Sequence, residues 1–324
     1  MSEMKKTRIL AVVGPTASGK TSLSIALAKT LSGEIVCCDS MQIYRDMTVG
    51  TAKPTPEEQA GVKHHMLDFV EPATGYSCAD YVKDARAAID SILAEGRLPL
   101  LCGGTGLYLD GVLFGGSFEQ TPNDDAVRAR LQSEAEQPGG AARLYERLCA
   151  VDAESGRAIH PNNVKRVVRA LEIYECCGLP KSELDRRSRT AEPYYDATVI
   201  GLRYHSRDTL YARIDRRIEL MLEQGLLDEV RALDARGIFE QNTTAAQAIG
   251  YKELLGVVRG ESELDAAVER LKLATRHYAK RQMTWFSAKD YVRWIYADTP
   301  EGEMRPAQDV LAEALALAGA EDCL

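Results

Sequence analysis

A phosphate-binding loop at residues 14–21, GPTASGKT, sets the fold class of this chain. The loop fits the pattern Gly-x-x-x-x-Gly-Lys-Ser/Thr and has the expected context. Residues 9–13 before it form an apolar run of buried-strand length, and residues 21–31 after it have apolar side chains at helical spacing. A chance glycine loop is the less favoured alternative, because strand and helix are both in place. The sequence predicts an α/β fold, a P-loop NTPase-like parallel sheet flanked by helices.

The residues of this loop indicate the chemistry that the fold could support. Glycines let backbone N–H groups surround phosphate oxygens, and the start of the helix adds the positive end of its dipole. Lys20 can reach a terminal phosphate, and the hydroxyl of Thr21 can coordinate Mg²⁺. The motif predicts nucleotide or other polyphosphate binding, ATP included, but it does not identify the bond that breaks.

Composition narrows the class of protein. The chain has 324 residues and a formal net charge of −8, so any nucleic-acid-binding surface must be local. Its 8 cysteines include no Cys-x-x-Cys pair, which fits a reduced cytoplasm better than a metal site or a disulfide framework. No stretch approaches the roughly 20 apolar residues of a membrane span, and the N-terminal apolar run is too short for a signal peptide. We expect a cytoplasmic protein without a membrane partner, and we expect it to be monomeric.

Polar residues follow two further predicted strands. Residues 34–38 have strand character and end at Asp39, where open α/β sheets keep their catalytic groups. Asp39 could instead cap the following turn. Residues 98–102 predict a third buried strand, and residues 103–106, GGTG, follow it directly. An ATPase with a P-loop would more often place an acidic residue there, so this second glycine loop disfavours an ATPase.

A helical insertion interrupts the predicted sheet. We place the first part of the P-loop α/β core at residues 1–120, an all-helical insertion domain with three helices at 121–195, and the completion of the core at 196–324. Residues 157–189 contain eight Lys or Arg against four Asp or Glu, a local excess of +4 in an acidic protein. A solvated helix face and a contact with a phosphate backbone both remain open as explanations.

A second basic surface is predicted on the last long helix. Lys272, Arg276 and Lys280 recur at four-residue steps, and Arg281 belongs to a parallel row. Few acidic residues lie near in the sequence to pair with them, so a phosphate backbone is the favoured partner over a salt-bridged exposed face.

Three local predictions concern structure alone. Ser262 is expected to cap the last long helix. Trp285 and Trp294, each followed by an apolar residue, are expected in the core. The pair His64 and His65 is assigned a structural role, because adjacent strand residues point to opposite faces and no third metal ligand is near.

Taken together, these segments resemble the bacterial tRNA dimethylallyltransferase (tRNA isopentenyltransferase, or IPP transferase) family over nearly the whole chain. The phosphate-binding loop alone is shared by many families, whereas the ordered set is highly specific. The matching segments are residues 14–21, 39–45 (DSMQIYR), 50–54 (GTAKP), 103–108 (GGTGLY), 160–163 (HPNN), 166 with 169–172 (RALE), 248–253 (AIGYKE), and 276–282 (RHYAKRQ) with 284–286 (TWF).

The resemblance implies a reaction. A dimethylallyl group would move from dimethylallyl diphosphate to N6 of adenosine 37 in tRNAs that read codons beginning with U. The target base must leave its loop to reach a site in the sheet crevice, so base flipping is expected. The helical insertion would clamp the anticodon stem-loop of the tRNA. Mg²⁺ is the expected cofactor.

The resemblance also implies site residues. Asp39 would act as general base, Arg217 would stabilise charge on the diphosphate, and Thr21 would hold Mg²⁺. The residues expected to bind the diphosphate are Gly14, Pro15, Thr16, Ala17, Ser18, Gly19, Lys20 and Thr21. The residues expected to contact tRNA are Asp39, Ser40, Met41, Gln42, Thr105, Arg128, Lys165, Arg166, Arg169, Lys272, Arg276, Lys280 and Arg281.

One position departs from the family pattern, and two other functions remain to be weighed. Many members carry Gln where this chain has Lys165; a cation there could keep a phosphate contact but lose a specific base contact. A small-molecule kinase would use the same loop for ATP, but it has no need of two basic helical surfaces. A non-catalytic RNA-binding module would leave the phosphate-binding loop and Asp39 without a role.

Overall fold

The computed structural model describes residues 6–115, 124–189 and 192–320. Within these ranges six strands form a single sheet, and every neighbouring pair is parallel, in the order β3-β2-β4-β1-β5-β6. The predicted fold class is confirmed. The strands are β1 (Arg8–Val13), β2 (Gly33–Cys37), β3 (His64–His65), β4 (Leu98–Gly103), β5 (Asp196–Arg203) and β6 (Val292–Tyr296).

Helices account for most of the remaining described chain. Those before β5 are α1 (Lys20–Thr30), α2 (Pro56–Gln59), α3 (Cys78–Ala94), α4 (Gly106–Phe114), α5 (Asp125–Glu136), α6 (Gly140–Val151), α7 (Ala153–Ala158), α8 (Val164–Cys177) and α9 (Lys181–Arg189). Those after β5 are α10 (Arg207–Glu223), α11 (Leu226–Ala235), α12 (Ile238–Gln241), α13 (Thr243–Ala246), α14 (Tyr251–Val258), α15 (Leu264–Ser287) and α16 (Ala307–Leu317). None of these helices combines the length and apolar character needed to cross a lipid bilayer.

The chain divides into two compact units. One comprises Met1–Val112 with Tyr195–Leu324, and the other comprises Leu113–Tyr194. The boundary that we placed between residues 120 and 121 falls in residues 116–123, outside the described part of the chain.

The sheet of the first unit is buried because its strands are apolar on both faces. Residues 9–13 of β1 are at most 1% exposed, as expected for a central parallel strand. One apolar cluster joins β1, β2, β4, β5 and β6 to α1 and α16, through side chains such as Leu10, Leu27 and Ala314. A second cluster joins helices α10 to α15 to the segment that follows β2, through Ile43 and Tyr44. The strand ends that carry the glycine loops are therefore held by a packed core.

The second unit is a helical bundle whose core follows the helical repeat. Leu144 and Leu148 of α6 lie four residues apart and pack with Leu131 of α5 and with α8. Side chains of loop residues cap several of these helices. Asp124 accepts backbone hydrogen bonds at the start of α5, and Asn163 does so at the start of α8.

Several local predictions are wrong. The described part of the insertion contains five helices, not three, because short α7 and strongly polar α9 lack a long apolar stripe. The residue before α15 is Glu263, so Ser262 is not its cap. Trp285 is 38% exposed, although the neighbouring Phe286 is buried.

The two histidines have structural partners. Nε2 of His65 lies 2.6 Å from Oε2 of the buried Glu34, and Nδ1 of His64 lies 2.9 Å from the Val62 carbonyl oxygen. The two histidines form β3, the strand at one edge of the sheet.

Candidate active site

The phosphate-binding loop connects the C-terminal end of β1 to the start of α1, and its shape requires glycine at two positions. Gly14 has φ 140°, and a Cβ there would lie 2.6 Å from the Leu202 carbonyl oxygen of β5. Gly19 has φ 91° and forms the left-handed turn into α1. Ala17 adopts φ 61° without being glycine. The loop is thus held in a fixed, open curve at the end of a buried strand.

Three cationic side chains converge on this loop. Nζ of Lys20 donates to the Pro15 carbonyl oxygen at 2.6 Å, and Nε of Arg213 donates to the Ala17 carbonyl oxygen at 2.9 Å. Nη1 of Arg217 donates to Oγ1 of Thr16 at 3.4 Å, from the turn of α10 that follows Arg213.

None of these three cations forms an ion pair with a carboxylate in the described ranges. Burial lowers the pKa of Lys20 to about 8, and the neighbouring Arg217 adds to this effect while Asp39 opposes it. Burial also lowers the pKa of Arg217, and Arg213 contributes. Concentrated positive charge without counter-ions is the electrostatic signature of an anion site.

Hydroxyl groups complete the loop. Ser18 is 2% exposed, and its Oγ has no hydrogen-bond partner among the described residues. Thr21 lies in the first turn of α1 and is partly exposed. The described residues contain no group of three His, Cys, Asp or Glu side chains that could hold a metal ion. A magnesium ion at Thr21 would therefore take most of its ligands from phosphate oxygens and water, as Mg²⁺ commonly does.

Asp39 follows β2 and is partly exposed. Its Oδ1 accepts the backbone N–H groups of Met41 at 2.9 Å and of Gln42 at 3.4 Å, so the side chain does cap the following turn. Its Oδ2 makes no hydrogen bond with the described residues. One carboxylate oxygen is thus fixed in the structure, and the other can accept a proton.

The second glycine loop, residues 103–106, lies beside Asp39. The N–H of Thr105 donates to the Cys38 carbonyl oxygen at 3.2 Å, and Oγ1 of Thr105 accepts the N–H of Ser40 at 3.0 Å. Gly103 has no room for a Cβ, because the backbone of Cys38 lies against it. The carboxyl ends of β2 and β4 are therefore joined by specific hydrogen bonds.

Two predicted tRNA contacts beside Asp39 have structural partners in this molecule. Nε2 of Gln42 donates to the carbonyl oxygens of Thr51 at 2.9 Å and Ala52 at 3.1 Å. Met41 is partly buried against the apolar cluster of helices α10 to α15. The loop at residues 48–52 is in turn held by Glu229.

The four predicted tRNA contacts of the helical unit fall into two pairs. Arg128 binds the fully buried carboxylate of Glu172 with two hydrogen bonds, of 3.0 and 2.9 Å, and Nη1 of Arg169 lies 2.8 Å from the same carboxylate. Lys165 and Arg166 are exposed at the start of α8 and form no ion pair within the described ranges. Within the basic stretch 157–189, Arg169 is therefore paired inside the unit, whereas Lys165 and Arg166 have no ion pair among the described residues.

The basic row on α15 is also divided. Nζ of Lys272 lies 3.4 Å from Glu269 and 3.8 Å from Glu219, and Arg276 pairs with Asp215. Lys280 and Arg281 are exposed and have no ion pair in the part of the chain that the structure describes. The expectation that acids are scarce around this row is wrong for Lys272 and Arg276. Helix α10 supplies Glu219 and Asp215, and α15 itself supplies Glu269.

Sequence reasoning assigned no role to three residues that shape the site. The contact between Arg213 and the phosphate-binding loop was not predicted. Gln282 forms hydrogen bonds with both glycine loops. The sequence identified it only as the last residue of the matching segment 276–282. Glu229 accepts N–H groups from Thr48, Val49 and Gly50 at 2.8–3.0 Å, and no local pattern pointed to it.

Comparison with known proteins agrees with this arrangement. The family model described as IPP transferase matches residues 42–289, well over half of the chain. A relative from Geobacillus thermodenitrificans, named tRNA dimethylallyltransferase, is 48% identical over 294 residues, which is 91% of this chain and 92% of the relative. A second relative of that name, from Acetivibrio thermocellus, is 45% identical over 90% of this chain and 92% of its own length.

Solved structures show the same likeness. A crystal structure of tRNA isopentenylpyrophosphate transferase from Staphylococcus epidermidis is 39% identical, with a TM-score of 0.70, over 97% of this chain and 99% of that one. A eukaryotic dimethylallyltransferase, studied while acting on tRNA, is 28% identical with a TM-score of 0.79, over 98% of this chain and 79% of that one. The chain belongs to the IPP transferase family.

Proposed function

We propose that this protein transfers a dimethylallyl group from dimethylallyl diphosphate to N6 of adenosine 37 in tRNAs that read codons beginning with U. The observation that carries the proposal is the convergence of Lys20, Arg213 and Arg217 on the phosphate-binding loop without carboxylate partners among the described residues. A diphosphate would supply the missing negative charge. Membership of the IPP transferase family supports the choice of allylic diphosphate and of tRNA.

The leaving group would be held by the loop. Lys20 and Arg217 would neutralise the charge that grows on the diphosphate as the bond between carbon and oxygen breaks. Ser18, whose buried Oγ lacks a partner in the described chain, would gain one in a phosphate oxygen. Thr21 would hold Mg²⁺, which stabilises the same negative charge when it is bound.

The acceptor amine would be activated by Asp39. The N6 lone pair forms the new bond to the allylic carbon, the electron pair of the breaking bond goes to the diphosphate, and the N6 proton goes to Oδ2 of Asp39. The N–H groups of Met41 and Gln42 hold Oδ1, so the carboxylate is oriented before substrate arrives. Thr105 fixes the neighbouring Ser40, which keeps this turn in place.

Four of the predicted tRNA contacts have no ion pair within the described ranges, and these would bind the tRNA. They are Lys280 and Arg281 on α15, and Lys165 and Arg166 on α8. Phosphate groups are suitable partners, because lysine and arginine side chains commonly bind phosphate oxygens in complexes of proteins with nucleic acids. Arg128 and Arg169 would contribute mainly by holding α5 and α8 together through Glu172.

The test is a transfer assay with purified protein, Mg²⁺, radiolabelled dimethylallyl diphosphate and unmodified tRNA that carries A36 and A37. We expect label at A37, and a loss of about 10²–10⁴ in kcat for Asp39→Ala with tRNA affinity changed by no more than about threefold. Near-normal turnover by Asp39→Ala would remove Asp39 as the base. Absence of label, together with ATP turnover on a small acceptor, would establish a kinase instead.

A further inference from the structure

We propose that Gln282 is a positioning residue that holds the phosphate-binding loop and the second glycine loop in a fixed relation. Its Oε1 accepts the backbone N–H of Thr16 at 2.8 Å, and its Nε2 donates to the Gly104 carbonyl oxygen at 3.1 Å. The inference rests on the proposed function, because Thr16 belongs to the loop that would bind the diphosphate.

The two bonds need one acceptor and one donor on the same side-chain end, and the amide of Gln282 supplies both. Gln282 is 5% exposed. Loss of either hydrogen bond would therefore leave a buried polar group without a partner, which costs free energy. The reversed amide would set its NH₂ group against the Thr16 N–H and its oxygen against the Gly104 oxygen. A glutamate could accept from Thr16 but, when ionised, could not donate to Gly104. Gly104 itself has no room for a Cβ, because Nε2 of Gln282 occupies that space.

Gln282 belongs to a face of α15 that covers the second glycine loop. Tyr278 and Trp285 lie at positions −4 and +3 from Gln282, on the same side of the helix. Burial raises the pKa of Tyr278, and a hydrogen bond with Thr105 opposes that rise. The ring of Trp285 leaves no room for a Cβ at Gly106. Gln282 is therefore the polar centre of a contact between α15 and residues 104–106 of the second glycine loop.

This placement separates the role of Gln282 from that of its neighbours on the helix. Lys280 and Arg281 are exposed and would serve tRNA, whereas Gln282 is buried and directed at the phosphate-binding loop. Removal of the amide should loosen the curve of the loop at Thr16. Affinity for the diphosphate should then fall, while affinity for tRNA should not.

The experiment compares the full-length protein with Gln282→Glu, Gln282→Met and the control Gln241→Glu. Gln241 is exposed on α12, and its side chain bonds only to the Arg236 carbonyl oxygen in the described structure. Calorimetry would measure the Kd for inorganic diphosphate with Mg²⁺, and filter binding would measure the Kd for tRNA. The KM for dimethylallyl diphosphate would be determined separately at saturating tRNA.

We expect both Gln282 variants to raise the Kd for diphosphate and the KM by about tenfold, which is the scale of one or two buried hydrogen bonds. The Kd for tRNA should stay within about twofold, and Gln241→Glu should match the wild type throughout. Gln282→Met preserves volume, so it keeps the test valid if Gln282→Glu fails to fold.

Two results would overturn the proposal. One is unchanged diphosphate affinity in a folded Gln282→Met protein. The other is an equal loss of diphosphate and tRNA affinity, which would indicate general damage to the packing of α15. The readout with inorganic diphosphate needs no transfer activity. A wild-type protein that binds diphosphate but does not modify tRNA would therefore contradict the proposed function and still decide the role of Gln282.

Discussion

The ring of Tyr251 lies against the backbone of Gly50, so closely that a Cβ at Gly50 would lie 2.7 Å from ring carbon atoms. The hydroxyl group of Tyr251 donates to Oε1 of Glu229 at 2.6 Å, and the same carboxylate accepts the N–H of Gly50 at 3.0 Å. Residues 48–52, which bind the side chain of Gln42, are thereby fixed from two sides. Gly50 is the first residue of the matching segment 50–54 (GTAKP), and this close approach requires a glycine there.

We predict that Gly50→Ala destabilises the protein by about 1–3 kcal/mol, the usual cost of inserting a carbon into a packed contact. The added methyl group must displace the Tyr251 ring or the loop, so transfer activity should fall as well. Urea unfolding and the transfer assay would measure both effects. Gly75→Ala is the matched control, because no atom lies within 4 Å of a Cβ there. Equal free energies of unfolding for the two variants would show that the loop can move away from the Tyr251 ring without loss of stability.

A second prediction concerns the buried carboxylate of the helical unit. Burial would raise the pKa of Glu172, but hydrogen bonds from Arg128 and Arg169 outweigh burial and lower it. Glu172→Gln should destabilise the unit by about 3 kcal/mol at pH 7, because two arginines then lack their counter-ion. Glu136→Gln, on the exposed side of α5, is the control and should be nearly neutral.

The effect of Glu172→Gln should depend on pH. A carboxylate whose pKa is lower in the folded state stabilises the fold fully above its unfolded pKa, about 4.3. That contribution is lost as the pH falls through the lower folded value. The difference in unfolding free energy between wild type and Glu172→Gln should therefore shrink in acid. A constant difference from pH 7 to pH 3 would show that the variant acts through packing alone.

The third prediction follows from the charge state of Lys20. Since its pKa is lowered to about 8, this lysine loses its proton as the pH rises from 7 to 9, whereas an ordinary lysine stays charged. The affinity for inorganic diphosphate should weaken over that interval. Lys20→Arg is the control, because arginine keeps its charge and its profile reports only ionisation of the ligand. Parallel profiles for the two proteins would contradict a lowered pKa at Lys20.

The sequence predicted the sheet and the loops better than the contacts between them. Strands β1, β2 and β4 are short apolar runs, and glycine loops follow β1 and β4 directly. Such local patterns carry their own signal. Strand β6 was not predicted, because the exposed Arg293 interrupts its short run of apolar residues. Its burial depends on pairing with β5. Tertiary pairing overrides local pattern at such an edge.

The site residues that were not predicted share one property: their partners are distant in the sequence or lie on another helix. Gln282 bonds to a residue 266 positions away, and Glu229 bonds to Gly50 over 179 positions. Asp215 and Glu219 lie on α10 and meet the basic row of α15 only after the two helices pack. Spacing within one helix reports which side chains share a face, but it carries no information on what a neighbouring helix places opposite them.

The final prediction separates the paired from the unpaired cations of α15. Lys280→Glu should weaken tRNA binding and reduce the slope of log K against log salt by about 1, because one phosphate contact is lost. Lys272→Glu also breaks contacts with Glu219 and Glu269, so it should lower stability and change the salt slope less. Lys83→Glu is the control for net charge, because Lys83 is an exposed lysine of α3, far in sequence from the basic row.

Binding of unmodified tRNA from 50 to 300 mM salt would measure these slopes, with thermal unfolding recorded for each variant. If Lys280→Glu and Lys83→Glu give the same slope, Lys280 belongs to a solvated face and the tRNA must be bound elsewhere. If Lys272→Glu reduces the slope as much as Lys280→Glu, its carboxylate partners must release it when tRNA binds. Either result can be assigned to a single side chain, because every variant changes the net charge by the same amount.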